Sequence, residues 1–481
     1  MQNGSLVGIA LCALAATAHG ATVSNANFVN GLALDGAATD LSAGSAFDRR
    51  VGYFSDLYFD ANRNQWWGLS DRGPGGGTLP YATRVQRFTL NFGANGTISN
   101  FAIAETVLFK DQGVAMNGLA PAPANQLGRS FDPEGFVVLP KSGRFLVSDE
   151  YGPAVREFDR NGNLIRTFTM PGNLIPKTGA GVDFNAAPPV LTSGREGNRG
   201  FEGLAVSPDG KYAYAVLQNG TVQDGWTAAA RGQYTRIVKF DVETGTAVAQ
   251  YAYALDSTSQ GRGVSAIVAL GNDKFLVIER NNRGVGVGAN LANPDKNVYE
   301  VDLSGASDVS GISLPTVGDL PAGFVAAAKG AKVIDLDANT LAAIGNRSPE
   351  KWEGLAIGHQ LGEGSYLLLA GSDNDYSVTQ NGTGTQFDVY FRFSDADPYA
   401  SSIQCPINGV TDCFFTAGGG AAALSDQYSL LPGVLHAYTA NISDYVAPIP
   451  EPQTAALALF GLGLVGAFSQ RSRATSRRDG R

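Results

Sequence analysis

Short apolar runs recur along the chain in pairs, each pair joined by a turn rich in Gly, Asp, Asn or Lys. In the clearest copy, residues 133–138 lead through a turn at residues 141–143 into residues 145–150. Similar pairs occupy residues 56–59 and 66–71, 201–206 and 212–218, 264–268 and 275–279, and 352–357 and 366–373. Apolar runs of this length between turn residues are typical of β-hairpins. Repetition of one such unit indicates a repeat architecture.

A second hairpin accompanies the first in several repeats, which makes four antiparallel strands per repeat. In the second repeat, residues 155–159 and 164–168 flank a turn with Asn-Gly chemistry. Four-stranded units in series are the blades of a β-propeller. We therefore predict an all-β β-propeller of six four-stranded blades, with five or seven as open alternatives. The sixth blade would combine a C-terminal strand at residues 434–438 with an N-terminal strand at residues 28–34.

The composition supports this fold class and limits the kinds of partner. The chain has 481 residues, 44% of them hydrophobic and only 16% charged, with 61 glycines. Many glycines and few charged runs favour short strands and turns over long helices. The net charge of -9 provides no basic footprint for nucleic acid. An acidic balance suits cation binding as well as solubility, and we expect a monomer that binds no nucleic acid.

The two ends of the chain resemble export and sorting signals. An apolar stretch at residues 6–18 precedes small residues, as in a secretory signal peptide, so we assign residues 1–20 to a cleaved leader. Residues 447–481 contain Pro-Glu-Pro at 450–452, an apolar run at 455–468 and a tail with five arginines. The apolar run is short for a full membrane span, although a plain C-terminal anchor remains the alternative.

This C-terminal order of Pro-Glu-Pro, apolar run and basic tail resembles the PEP-CTERM sorting signal of Gram-negative bacteria. The resemblance implies recognition by an exosortase-type sorting enzyme and a link to exopolysaccharide. It also implies export across the inner membrane, with transient anchoring by the C-terminal segment, and a final place at the cell surface or outside the cell. Residues 21–446 then form the mature propeller domain.

Cysteine use fits an exported protein. Cys405 and Cys413 flank a short loop, and Cys12 lies in the leader. In an oxidising compartment we predict a loop-closing disulfide between Cys405 and Cys413. A zinc site would need further ligands nearby, and the sequence offers none.

Each hairpin has polar residues equidistant from its turn. Residues placed in this way face each other across an antiparallel pair. The predicted pairs are Glu134 with Glu150, Glu202 with Gln218, Ser55 with Asp71, Glu353 with Asp373, and Ser265 with Glu279. All of these pairs lie at the ends of the strands away from the turns. In a propeller we therefore expect their acidic members, Glu279 included, around one rim of the central channel.

Carboxylates crowded at one rim must be neutralised or have raised pKa values. Ca²⁺ is a suitable neutralising ion because it takes ~6–8 oxygen ligands in flexible geometry. We predict that the metal ligands are Glu134, Glu150, Glu202, Glu353 and Asp373. Basic residues beside the same motifs would bind an anionic substrate, and these are Arg72, Arg199, Arg280 and Lys351. The alternative is structural, with carboxylate–arginine pairs joining neighbouring blades.

Five motifs in order resemble the phytase-like domain family described as having esterase-like activity. They are Ser70-Asp71-Arg72-Gly73, Asp132-Pro133-Glu134-Gly135-Phe136, Ser148-Asp149-Glu150-Tyr151-Gly152, Phe201-Glu202-Gly203-Leu204-Ala205 and Trp352-Glu353-Gly354-Leu355-Ala356. The resemblance spans about residues 47–393. It implies a β-propeller related to the calcium-dependent propeller phytases, whose metal-bridging acids lie at the channel mouth.

The leading functional hypothesis is an exported hydrolase that acts on a phosphoester or another anionic ester with a divalent cation, Ca²⁺, at the propeller mouth. The residues predicted to be catalytic are Glu134, Glu202, Glu353 and Asp71. One alternative is a non-catalytic propeller that binds exopolysaccharide. Another is a lactonase-like propeller enzyme, which would also use a central divalent ion.

Overall fold

The computed structural model describes residues 22–227, 231–257, 261–288 and 291–448. The predicted leader and the sorting tail from residue 449 onward therefore lie outside the described residues. Within the described ranges no helix is long and apolar enough to cross a bilayer. The only helical segments there are three single 3-10 turns, at Val222–Asp224, Ala342–Ile344 and Asp375–Ser377. The prediction of an all-β chain is confirmed.

Five four-stranded antiparallel sheets make up most of this structure. Sheet 1 contains Asp56–Asp60, Gln65–Leu69, Arg84–Phe92 and Ile98–Leu108. Sheet 2 contains Pro133–Val138, Phe145–Asp149, Ala154–Phe158 and Leu164–Thr167. Sheet 3 contains Phe201–Val206, Tyr212–Leu217, Tyr234–Asp241 and Thr246–Ala254. Sheet 4 contains Gly263–Ala269, Lys274–Arg280, Lys296–Asp302 and Ala328–Asp335.

Sheet 5 is built from both ends of the described chain. Its strands are, in spatial order, Lys351–Gly362, Ser365–Asp373, Gly433–Ser443 and Thr22–Leu34. The N-terminal strand pairs with the C-terminal strand from Thr22 opposite Ser443 to Leu34 opposite Gly433. The two strands predicted to form a separate sixth unit thus complete sheet 5. The described residues contain five four-stranded sheets, a number that the sequence leaves open beside the preferred six.

A smaller sheet is inserted between the second and third strands of sheet 5. It contains, in spatial order, Ala421–Ala422, Cys413–Phe415, Ile403–Pro406, Phe387–Phe391 and Ser429–Leu430. Cys405 and Cys413 form a disulfide within this insertion sheet, as predicted. Two short two-stranded ribbons, Lys110–Asp111 with Val114–Ala115 and Lys177–Thr178 with Gly181–Val182, complete the described strands.

The first strand of each four-stranded sheet contacts the first strand of the next. We call these the inner strands, and their contacts run from sheet 1 through sheets 2, 3, 4 and 5 and back to sheet 1. Apolar side chains fill the space between adjacent sheets. Trp67 of sheet 1, for example, is buried with ring centroids 5.8 Å from Phe136 and 5.2 Å from Phe145 of sheet 2. Burying side chains of this size contributes about 1.5–3 kcal/mol each, so inter-sheet packing stabilises the ring.

Candidate functional site

Four of the five inner strands carry a β-bulge at the same point, near the start of the strand. The pairing register shifts between Pro133 and Phe136, between Phe201 and Leu204, between Val264 and Ala266, and between Trp352 and Gly354. The residues in these bulges include Glu134, Glu202, Ser265 and Glu353. A bulge places an extra residue on one strand and re-aims its side chain.

The bulges correct the predicted face-to-face pairs. Pro133 lies opposite Asp149, so Asp132, not Glu134, is level with Glu150, and Lys351, not Glu353, lies opposite Asp373. The predicted pairings of Glu134 with Glu150 and of Glu353 with Asp373 are therefore wrong by two positions, one of which comes from the bulge. Midpoint counting assumes an unbroken ladder, and one inserted residue shifts every later pair.

The glycine that follows each of the three bulge glutamates is explained by a close approach of the next sheet. A Cβ atom on Gly135 would lie 2.5 Å from the backbone nitrogen of Leu204. On Gly203 it would lie 2.6 Å from Cα of Ala266, and on Gly354 it would lie 2.8 Å from the Leu57 side chain. The Glu-Gly motif thus combines a re-aimed carboxylate with the tight contact between inner strands.

Five buried carboxylates meet at the bulged end of the inner strands. Asp71, Asp132 and Glu134 place carboxylate oxygens within 4.8 Å of one another, and so do Asp71, Asp373 and Asp375. We call these five residues the acid cluster. Asp71 belongs to both groups and joins them.

The predicted ligands Glu150, Glu202 and Glu353 lie near enough for their charges to act on the acid cluster. Burial raises the pKa of Glu134 well above its usual value, and the charges of Asp132, Glu202, Glu150 and Glu353 raise it further. Burial likewise raises the pKa of Glu202, with additional repulsion from Glu150 and Glu353. Glu150, Glu202 and Glu353 therefore lie close to the acid cluster.

Two aspartates of the acid cluster, Asp71 and Asp373, also have raised pKa values. Burial, with the nearby charge of Asp373, raises the pKa of Asp71 to about 8. Burial raises the pKa of Asp373 to about 7 despite the neighbouring Lys351 ammonium. Without a cation, these groups hold protons that a normal aspartate would lose.

Three of the four predicted basic residues contact acids of this region. Arg72 donates from Nη1 to Asp132 Oδ2 at 2.8 Å, and its backbone nitrogen donates to Asp132 Oδ1 at 3.2 Å. Arg280 donates to Glu353. Lys351 Nζ lies 3.2 Å from Asp373 Oδ2 and 2.5 Å from Asp375 Oδ1.

Arg199 is placed differently from the other three basic residues. Its Nη1 donates to Gln218 Oε1 at 2.7 Å, and its Nε lies 3.8 Å from Glu196. Within the described chain it forms no ion pair with a predicted metal ligand. Of the four predicted basic residues, Arg199 is therefore the one whose guanidinium is not paired with a predicted metal ligand or a member of the acid cluster.

Some of these contacts do join neighbouring sheets, as the structural alternative expects. The Arg72–Asp132 pair connects sheet 1 to the start of sheet 2, and Arg280–Glu353 connects sheets 4 and 5. The carboxylates of Glu134 and Glu202 are different. Among the described residues neither makes a hydrogen bond or an ion pair, although Glu134 is only 7% exposed and Glu202 only 3%. The structural alternative does not explain these two residues.

Sequence reasoning missed Asp132 and Asp375 as members of the acid cluster. Asp375 begins a turn in which three consecutive non-glycine residues, Asp375, Tyr376 and Ser377, have φ values of 48°, 55° and 54°. Left-handed backbone of this kind is costly and is concentrated at functional sites. The run Asp373-Asn374-Asp375 at the end of a strand is the sequence feature that could have indicated this site.

Glu279 does not join the acid cluster, so its predicted place at the rim is wrong. Its carboxylate accepts hydrogen bonds from Tyr253 at 3.0 Å, from Arg262 at 3.2 Å and from Lys329 at 2.6 Å. These partners belong to the outer strands and connecting segments of sheets 3 and 4. These three hydrogen bonds hold the Glu279 carboxylate away from the acid cluster.

A polar cavity of about 250 Å³ opens beside the acid cluster. Lys351 and Asp375 line it from the side of sheet 5, together with Glu350. The opposite wall comes from the chain around the insertion sheet, including Gln380 and Gln404. The cavity provides an approach to the buried carboxylates from solvent.

Comparison with known proteins gives two family matches. Residues 49–376 match the phytase-like family described as "Esterase-like activity of phytase". Residues 448–474 match the PEP-CTERM protein-sorting motif. The second match indicates export to the cell envelope and recognition by an exosortase-type sorting enzyme.

One curated relative and one solved structure are also similar to the chain. An uncharacterized secreted protein of Arthroderma benhamiae is 26% identical over 419 residues, which cover 68% of this chain and 80% of that protein. A chain of Kuenenia stuttgartiensis hydrazine synthase is 11% identical with a TM-score of 0.25, and covers 62% of this chain and 77% of its own. The structural similarity is too low to define a shared fold.

The phytase-like match includes sheets 1 to 4, the first two strands of sheet 5 and every member of the acid cluster. It therefore covers both the ring of inner strands and the candidate site. The chain belongs to the phytase-like family, whose description is "Esterase-like activity of phytase".

Proposed function

We propose that this protein is an exported hydrolase of phosphoesters or other anionic esters, and that its five sheets are the blades of a β-propeller with a divalent cation at one mouth. The family match and the cyclic contacts of the inner strands support this proposal. The proposed ion is Ca²⁺, because all the candidate ligands are hard oxygen donors.

The observation that carries the proposal is that Glu134 and Glu202 are buried residues whose carboxylates form no hydrogen bond or ion pair within the described chain. Burying a charged group without a partner is costly, and such a group is normally paired or bound to a metal. The neighbouring acids increase the cost, because their charges have the same sign. A divalent cation bound between these carboxylates would attract each of them and so offset their mutual repulsion.

The spacing of the acid cluster suits such an ion. Ligand oxygens lie ~2.3–2.6 Å from Ca²⁺, so the oxygens around one ion are separated by at most about twice that distance. The two groups of carboxylates fall inside this limit, at 4.8 Å or less. Asp71 is the residue that could serve both groups. A bound cation would supply an activated water and polarise the ester.

The chain's own residues would then position the substrate. Lys351 lines the polar cavity and is held between Asp373 and Asp375, so it is well placed to contact an anionic group entering from solvent. Arg72 orients Asp132 through two hydrogen bonds. Arg280 holds Glu353 in the same way. Glu134 and Glu202 would be cation ligands, with Glu150 and Glu353 close by.

The test is an assay of para-nitrophenyl phosphate, para-nitrophenyl acetate and a simple lactone, with chelator and then with added Ca²⁺. We expect turnover of the phosphate or the aryl ester that chelator abolishes and Ca²⁺ restores. Glu134→Gln and Glu202→Gln should lose it. Glu105→Gln, which alters a half-exposed partner of Arg87, is the matched control and should not. No turnover of either ester by the Ca²⁺-loaded protein would overturn the proposal, and turnover of the lactone alone would favour the lactonase alternative.

A further inference from the structure

The polar cavity beside the acid cluster has one wall that the family match does not include. The match ends at residue 376, whereas the insertion occupies residues 378–432, between two strands of sheet 5. The cavity side chains from this part of the chain are Thr379, Gln380, Asn381, Tyr399 and Gln404. All of them are uncharged. This wall is therefore a feature added to the shared site.

The wall of the cavity that the insertion forms contacts the acid cluster directly. Gln380 Nε2 donates to Asp375 Oδ1 at 2.5 Å, and Lys351 Nζ contacts the same oxygen. Asp375 is thus the point at which the cluster and the wall meet. A group held against the wall would lie next to an ester held at the cluster.

Two side chains of the wall have polar atoms available to a ligand. Within the described ranges, the amide of Gln404 and the hydroxyl of Tyr399 form no hydrogen bond. A carboxamide offers both donors and acceptors, as a pattern of vicinal hydroxyl groups requires. A tyrosine adds an apolar ring with a polar tip. The facing wall has two acids, Glu350 and Asp375, and one base, Lys351, so a second anionic group is disfavoured there.

We propose that this cavity binds a neutral, polyhydroxylated group of the substrate, such as a sugar ring, and that Gln404 and Tyr399 determine this specificity. The inference rests on the proposed function, because it assumes that the ester lies at the acid cluster. It adds the chemical class of the part of the substrate that does not react.

The kinetic test compares glucose-6-phosphate with para-nitrophenyl phosphate, which has no hydroxyl groups for the wall. Loss of a hydrogen bond costs about 1 kcal/mol, and every 1.4 kcal/mol is tenfold. We expect Gln404→Leu and Tyr399→Ala each to raise KM for the sugar phosphate roughly five- to tenfold and to leave KM for the aryl phosphate nearly unchanged. Gln126→Leu, in an exposed turn, is the control. Equal effects on both substrates would overturn the assignment.

A binding measurement separates this inference from the hydrolase proposal. Saturation-transfer NMR on the Glu134→Gln protein, with the methyl glycosides of glucose, galactose and mannose, requires no turnover. Contact with at least one glycoside that Gln404→Leu abolishes would support the sugar subsite even if the hydrolase assays fail. No contact with any of the three would overturn the subsite, whatever the assays show.

An independent observation concerns the opposite end of the ring. The inner strands enclose a small apolar cavity there, with a volume of about 40 Å³. Its lining includes Leu57, Val137, Leu204, Ile267 and Leu355, one from each sheet. Val206 also lines it, four residues beyond Glu202 and hence about 13 Å further along the strand. We call this the base of the ring.

The last described residues of the chain close the base. Tyr445, Val446 and Pro448 line the same apolar cavity. The backbone nitrogen of Val446 donates to Leu270 O at 3.1 Å, and the rings of Tyr445 and Tyr366 lie 5.0 Å apart. The chain therefore leaves the ring from the base, directly before the sorting motif that begins at residue 448.

We infer that the base faces the membrane while the sorting tail is intact, and that the acid cluster opens away from it. Six residues, 449–454, separate Pro448 from the apolar run at residues 455–468. Fully extended, six residues span at most about 20 Å. The base must then stay within that distance of the bilayer that holds the apolar run.

The test places one fluorescent label at each end of the full chain in a Cys12→Ser background, where Cys405 and Cys413 are already bonded to each other. Ser142→Cys lies in an exposed hairpin turn at the base, and Asn381→Cys is exposed at the acid end. In phosphatidylcholine vesicles with a headgroup spin-labelled lipid, we expect stronger quenching at residue 142. Stronger or equal quenching at residue 381, or failure of the chain to float with the vesicles, would overturn the inference.

Discussion

The inner strands of sheets 3 and 4 share one backbone feature but use it differently. Both carry a bulge at the same position, with Glu202 in sheet 3 and Ser265 in sheet 4. The Ser265 hydroxyl donates to the Trp352 carbonyl of sheet 5 at 2.8 Å. The Glu202 carboxylate has no such partner within the described chain. The bulge therefore belongs to the architecture of the ring, and the carboxylate is an addition that the architecture does not need.

The largest expected effect tests the carboxylate side of this comparison. Glu202→Gln keeps the size of the side chain but removes its charge. If Glu202 is a cation ligand, turnover of the preferred ester should fall by about a hundredfold or more, because a metal ion supplies several kcal/mol of transition-state stabilisation. The melting temperature of the chelated protein should not fall, since a repulsive charge is lost. Full activity in the variant would show that the carboxylate is structural after all.

The second prediction concerns the glycine after the bulge. Gly203→Ala would place a Cβ atom 2.6 Å from Cα of Ala266 in sheet 4. Because the obstacle is backbone, the strands must move apart, and overpacking of this kind costs typically about 1–3 kcal/mol. Urea unfolding measures the change. Gly172→Ala, which meets nothing within 4 Å, is the control. Equal stability of the two variants would contradict the close approach.

These residues also show what the sequence could and could not predict. The hairpins, the disulfide and the convergence of Glu134, Glu202 and Glu353 at one end follow from alternation, spacing and turns. The bulges could not be predicted in this way, because one inserted residue leaves the apolar pattern unchanged. Six sheets were preferred over five because the pair of N- and C-terminal strands was expected to form a unit of its own, whereas it joins the hairpin of sheet 5. The place of Asp375 in the acid cluster could not be predicted from the sequence, because it depends on the left-handed turn at residues 375–377.

The third prediction uses pH to separate charge repulsion from packing. In metal-free protein the pKa values of Asp71 and Asp373 are raised to about 8 and about 7. The folded state then binds more protons than the unfolded state between about pH 4 and pH 8, so stability falls as pH rises through that window. Ca²⁺ should remove most of the fall. Calorimetry with chelator and with Ca²⁺ measures both slopes, and a chelated protein whose stability rises from pH 5 to pH 8 would contradict the buried, repelling acids.

The smallest effect tests the serine side of the comparison. Ser265→Ala removes the hydroxyl that bonds to the Trp352 carbonyl, and we expect a loss of about 1 kcal/mol in the free energy of unfolding. Turnover and its dependence on Ca²⁺ should stay unchanged, because Ser265 directs its hydroxyl to the next sheet and not to the acid cluster. Ser265→Glu is the sharper variant. It would remove the bond between sheets 4 and 5 and add a carboxylate in a bulge, so it should destabilise the chelated protein more than Ser265→Ala does. If Ca²⁺ then recovers much of that loss, a carboxylate in any of the bulges can serve the cation, and the bulge alone determines where the acids meet.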